Sequence, residues 1–124
     1  MQLTLDRIGL RAGSQTHLYP MSLAPVPGAM TVLLGVTLAG KTSLMRIMAG
    51  LDRPTEGRVL VDGVPLAQVG VDRWRQGVAT VMQVDTLFAG SIADNICFFD
   101  PAPDRARIEE CARMAHIDEE INAM

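Results

Sequence analysis

Two glycines separated by four residues, with lysine and threonine directly after the second, occupy Gly35-Val36-Thr37-Leu38-Ala39-Gly40-Lys41-Thr42. The flanks narrow what this stretch can be. Before it, Met30-Thr31-Val32-Leu33-Leu34 reads as a buried strand of the kind parallel sheets cover on both faces. After it, Thr42 to Ala49 reads as a helix stopped by Gly50. Strand, glycine-rich loop and helix follow in that order. This is the context in which the P-loop pattern acquires its mechanism.

The chemistry follows from residue types. Glycines let successive backbone N–H groups turn inward around an anion. The helix that starts at the loop adds its unpaired N–H groups and the positive end of its dipole. Lys41 is placed to reach the β and γ phosphates of a nucleotide, and the Thr42 hydroxyl to ligate Mg²⁺. Ser43 falls near the α phosphate. The expected phosphate-contacting set is Gly35, Val36, Thr37, Leu38, Ala39, Gly40, Lys41, Thr42 and Ser43. Composition sharpens one position. Ten of the eleven basic residues are arginine, and Lys41 is the only lysine. A compact ammonium fits a narrow phosphate cradle that a planar guanidinium does not.

Charge is unevenly spread. Residues 1–60 carry net +3 and residues 61–124 net −6, for −3 overall. That balance speaks against a general nucleic-acid binder. Cys97 and Cys111 lack metal-ligand spacing and are too few for a disulfide framework, so they read as small buried apolar residues in a reducing compartment. No signal-peptide pattern opens the chain. The longest apolar run, Ala29 to Gly40, is too short to span a bilayer.

The rest of the chain reads as short elements. Residues 2–8 form a strand with Leu3, Leu5 and Ile8 as its apolar members. Arg11 to Thr16 is a turn or loop. Leu18 to Val26 is a strand whose Pro20 and Pro25 suit an edge. Arg58 to Asp62 is a strand closed by the turn Asp62-Gly63, and Val78 to Met82 is another. Val71 to Arg75 reads as a short helix, Ser91 caps a helical turn, and Asp104 caps a longer helix. Tyr19 is expected in the core, His17 and His116 at the surface, and Trp74 in a packing cluster. The methionines read as core filling.

Several further stretches resemble one family. Leu51-Asp52-Arg53-Pro54-Thr55-Glu56-Gly57 through Asp62-Gly63 is similar to the stretch after the P-loop helix in ABC transporter ATPase subunits. Val81-Met82-Gln83 resembles their Q-loop. Leu87-Phe88-Ala89-Gly90-Ser91-Ile92-Ala93-Asp94-Asn95-Ile96 resembles the segment that follows in exporters of bacteriocins or peptides. Residues 1–63 look more like an importer subunit, residues 64–124 more like an exporter. The resemblance implies an α/β P-loop NTPase (RecA-like) core with an antiparallel β subdomain at the N-terminus, incomplete at the C-terminus. It divides the chain into the β subdomain and P-loop (1–63), the core up to the Q-loop region (64–96) and the start of a helical subdomain (97–124).

It also implies ATP and Mg²⁺ as ligands, with Gln83 approaching the metal and the attacking water. The partners it implies are a membrane-spanning transporter subunit, faced by the segment after Gln83, and a second ATPase subunit. The location would be cytoplasmic, peripheral to the inner membrane if assembled, with no nucleic-acid partner and no direct membrane insertion. The family's signature sequence, Walker B acids and switch histidine have no counterpart in residues 1–124. Val59-Leu60-Val61-Asp62 mimics a Walker B strand but falls where the family has a β-hairpin, so Asp62 reads as a turn residue. The position that stacks on adenine in the family falls near Ala12, which is not aromatic. The expectation is therefore a fragment that binds Mg-ATP with little or no hydrolysis alone. The alternative is a non-catalytic fragment that docks on a transporter membrane domain or an intact ATPase subunit. A parallel sheet lacking strands would leave an unpaired edge open to association.

Overall fold

The computed structural model describes residues 1–124. They form two compact units, Met1–Thr80 and Val81–Met124.

The first unit is built on a four-stranded antiparallel sheet in the order β2-β1-β3-β4, with β1 at Leu3–Ala12, β2 at Gln15–Leu23, β3 at Glu56–Val61 and β4 at Val64–Pro65. Strand β1 runs farther than expected. Of the turn or loop expected there the structure has the turn, a tight one, because Arg11 and Ala12 pair with Thr16 and Gln15. Pro20 is tolerated because β2 is an edge strand.

Leu5 and Ile8 are both fully buried although three residues apart. A plain strand would put them on opposite faces. The pairing shifts register between them on both sides of β1, and Arg7 takes φ 48°. This bulge adds the residue that brings Ile8 back to the core face. Ser22 Oγ accepts a 2.9 Å hydrogen bond from the Arg7 N–H that the bulge displaces.

The hairpin turn at Asp62-Gly63 has φ of 49° and 79°, both positive as a two-residue type I′ connection requires. Asp62 Oδ1 accepts from Gln2 N at 2.7 Å, and Asp62 N donates to Gln2 O. Its carboxylate is thus spent on tying the chain's start to the turn.

Helix α1, Lys41–Met48, packs Leu44 and Ile47 on the sheet beside Leu5, Ile8, Leu18, Val59 and Val61. Leu66 of α2 (Leu66–Val69) and Trp74 of α3 (Val71–Arg75) complete this core. Burying each of the large aliphatic side chains contributes about 1.5–3 kcal/mol.

Four expectations fail. Met30–Leu34 and Val78–Met82 join no sheet. Met30, Val32 and Leu34 are 92%, 67% and 90% exposed, and only Leu33 and Val78 lean on the core. An all-apolar strand is buried only when neighbouring strands pair with it on both sides, and here none does. Tyr19 is 75% exposed because it alternates with the inward-facing Leu18. The methionines do not fill the core: Met1, Met30, Met45, Met114 and Met124 are exposed, while Met21 and Met48 only border it.

The bare stretch from Met30 to Leu34 combines unpaired backbone with outward Val32 and Leu34 side chains, a combination that invites pairing between copies. At tens of micromolar this chain is expected to elute above monomer size in size-exclusion chromatography. Val32→Lys is expected to return it toward monomer. A wild-type monomer with one cooperative melt contradicts this.

The second unit holds α4 (Ile92–Ile96), α5 (Arg105–Met114) and α6 (Asp118–Asn122). Asp104 caps α5 by accepting from Arg107 N. Ala112 is the one buried hydrophobic side chain here, so this unit has far less core than the first. Cys97 and Cys111 are half-buried free thiols rather than fully buried ones. No helix is long and apolar enough to cross a membrane.

Candidate phosphate-binding loop

Gly35 to Gly40 is curled, not extended. A Cβ added to Gly35 would lie 3.3 Å from the Ala39 Cβ, and Ala39 N donates to Val36 O at 3.2 Å. Lys41 closes the curl: its Nζ donates to Gly35 O at 2.7 Å and to Val36 O at 2.8 Å. The ammonium therefore sits across the mouth of the loop, held by two carbonyls.

Gly40 sets where the helix begins. It takes φ 85°, a left-handed conformation that glycine adopts without penalty. A Cβ there would stand 2.5 Å from His17 O and 3.0 Å from Leu18 Cδ1. The loop thus rests on β2 with no room for a side chain at that point.

The first intrahelical acceptor is Gly40 O, which takes Leu44 N at 2.9 Å. The N–H groups of Lys41, Thr42 and Ser43 precede that bond and have no protein acceptor, as at any helix start. No side chain caps them. Thr42 is exposed, Lys41 and Ser43 half-exposed. Three free amides, one ammonium and two hydroxyls belong to the three consecutive residues that follow the loop, and residues 35–43 include no carboxylate to repel an anion. That donor set fits a polyphosphate. For Mg²⁺ this loop offers the Thr42 hydroxyl, with phosphate oxygens and waters as further ligands.

Gln83 lies in the second unit and is exposed. Asp85 Oδ2 accepts from Met82 N at 3.2 Å, which pins the bend that carries Gln83. The following segment is held by its own side chains. Ser91 and Asp94 form a reciprocal cap on α4. The Ser91 hydroxyl and N–H hold the Asp94 carboxyl below the usual carboxylate range. Asn95 Oδ1 accepts from Phe88 N at 2.8 Å, and its Nδ2 donates to Phe88 O and Ser91 O. Phe88 and Phe99 meet edge to face, with ring centroids 6.2 Å apart. Asn95 was missed by sequence reasoning. Its signal was an amide one turn into a short helix, next to a cap.

A curled glycine loop under a lysine, opening a helix beside an antiparallel sheet, is the local architecture of a P-loop fold. The ABC transporter family model matches residues 18–124, and the chain belongs to that family. Among similar proteins, the colicin V secretion/processing ATP-binding protein of Escherichia coli is 42% identical over 104 residues, covering 84% of this chain and 15% of that protein. A mycobactin import ATP-binding/permease protein of Mycolicibacterium smegmatis is 36% identical over 118 residues, covering 95% and 20%. That single relative runs through the Asp62-Gly63 turn. A solved bacterial Atm1-family ABC exporter with ATP bound superimposes with a TM-score of 0.90 at 27% identity, over 99% of this chain and 22% of the exporter. The chain spans about a fifth or less of the length of these proteins.

Proposed function

We propose that this chain binds Mg-ATP through the phosphates, as part of the nucleotide-binding domain of an ABC transporter. The observation that carries the reading is the Gly35–Ser43 nest: free amides at the start of α1, with the Lys41 ammonium fixed over them. Gly35, Val36, Thr37, Leu38, Ala39 and Gly40 shape the cradle. Lys41 neutralises the β and γ phosphates, Ser43 faces the α phosphate, and Thr42 holds Mg²⁺. Gln83 is assigned to the metal by its likeness to the family's Q-loop. The reading includes little or no hydrolysis by the chain alone. Isothermal titration with Mg-ATP tests it, and absence of any saturable binding by the intact chain rejects it.

One observation supports a partner as well. Leu87 and Phe88 are 80% and 67% exposed, although Asn95 and the α4 cap fix the backbone beneath them. An ordered apolar projection of this kind suits a protein surface. The reading places a membrane-spanning transporter subunit there, with the chain on the cytoplasmic side and a second ATPase subunit in the assembly. As an alternative, the chain acts as a non-catalytic fragment that docks on such a subunit. Co-purification with a transporter membrane domain is expected to drop at least about fivefold in Phe88→Ser, a loss on the order of 1 kcal/mol for one exposed aromatic. Capture that is equal with and without nucleotide favours the alternative, and capture unaffected by Phe88→Ser removes this surface from either reading.

A further inference from the structure

Helix α1 carries Lys41, Thr42 and Ser43 on its first turn and is only eight residues long. Two turns of helix do not hold themselves in water. Where the three phosphate-facing residues sit depends on what anchors the helix. Its N-terminal end is the open side of the loop. Its C-terminal end is closed completely. Gly50, with φ 72°, donates to Ile47 O at 3.0 Å, and Leu51 N donates to Arg46 O at 2.8 Å, which is a Schellman cap. Arg46 is also paired through both Nε and Nη2 to Asp52, at 2.7 and 2.9 Å. The Arg46 guanidinium keeps the Asp52 carboxyl below its usual range.

That cap does not reach the Met48 carbonyl. Trp74 does. Its Nε1 donates to Met48 O at 2.8 Å, and the Arg75 guanidinium donates to Gly50 O. Trp74 is 6% exposed, and its ring edge lies against Gly50, where an added Cβ would be 3.2 Å from Cδ1. Two consecutive residues of α3, more than twenty positions down the chain, therefore take the last carbonyl of the helix that bears the loop and the Gly50 carbonyl of the cap that ends it.

We propose that Trp74, seconded by Arg75, is a positioning residue for phosphate binding, fixing the far end of α1 so that its first turn stays aimed at the ligand. The idea rests on the phosphate-loop reading for its ligand, and acts through the helix without touching the phosphates. Packing alone would need only the apolar ring. Positioning needs the N–H as well, because without it a half-buried carbonyl loses its partner.

The test uses the full chain as Trp74→Phe, Arg75→Ala and Arg75→Lys, each followed by amide hydrogen exchange over Leu44–Leu51 and by ATP titration below the melting temperature. Exchange in α1 is expected to quicken about tenfold in Trp74→Phe and about threefold in Arg75→Ala, with β1 and β3 unchanged. Arg75→Lys keeps a donor and is expected to restore the wild-type rate. ATP affinity is expected to fall about fivefold in Trp74→Phe with the chain still fully folded. Unchanged exchange and affinity in Trp74→Phe overturn the proposal, and so does a rate increase spread evenly over the sheet. If the intact chain binds no ATP while exchange still rises in α1 alone, the ligand reading fails and the clamp stands. If Trp74→Phe does not fold, the pair of Arg75 variants decides by the same exchange pattern.

Discussion

Lys41→Ala is expected to remove measurable ATP binding, a loss of about a hundredfold or more by isothermal titration. Two losses add. Charge-assisted hydrogen bonds are worth about 1.5–3 kcal/mol, which alone is about tenfold to a hundredfold and more in affinity. The same ammonium also bridges Gly35 O and Val36 O, so its removal frees the loop from the curled form that presents the amides. Those two bonds are exposed, and water can replace them. The variant should therefore melt within a few degrees of the parent. Lys41→Arg is expected to recover little, since a planar fork does not bond two adjacent carbonyls as a point charge does. Arg53→Ala, which removes a cation elsewhere in the same unit, serves as the charge control and should bind as the parent does. A Lys41→Ala chain that binds ATP like the parent leaves the loop without its assigned role.

The sequence was most legible where local chemistry decides structure. Gly50 as a helix stop, Ser91 and Asp104 as caps, and Asp62-Gly63 as a turn depend on a few neighbouring atoms, and each stands where expected. The curl of the glycine loop is local in the same way: Gly40 takes its positive φ against β2, and Lys41 closes the loop onto Gly35 O and Val36 O. Burial was less legible because it depends on partners. Met30–Leu34 has the composition of an inner strand, but composition does not supply neighbours, and the segment lies bare. Tyr19 was misplaced because the phase of β2 is set by Leu18 facing α1, which appears only once the helix is docked. The spacing of Leu5 and Ile8 was visible, but the bulge that reconciles it depends on Arg7 and on pairing with two strands at once.

That bulge sets up the largest stability effect to be expected. Gly57 on β3 has φ 71° and crosses β1 at the bulge, where a Cβ would stand 2.2 Å from Arg7 O and 2.3 Å from Asp6 O. Both obstacles are backbone. The first clashing atom belongs to the residue whose positive φ returns Ile8 to the core, so β1 cannot move aside without turning Ile8 outward. Gly63 offers a matched comparison. Its φ is 79°, yet nothing lies within 4 Å of its added Cβ. Gly63→Ala should cost only the left-handed penalty, about 1–2 kcal/mol. Gly57→Ala carries that penalty plus the clash, and the sum should exceed about 4 kcal/mol, a large part of the 5–15 kcal/mol that holds a typical domain together. Circular dichroism melts should show Gly63→Ala folded with a modestly lowered midpoint, and Gly57→Ala largely unfolded or melting many degrees lower. Equal midpoints for the two variants would mean that β1 yields at Arg7, and that the bulge does not fix the phase of the strand on which Leu5 and Ile8 enter the core.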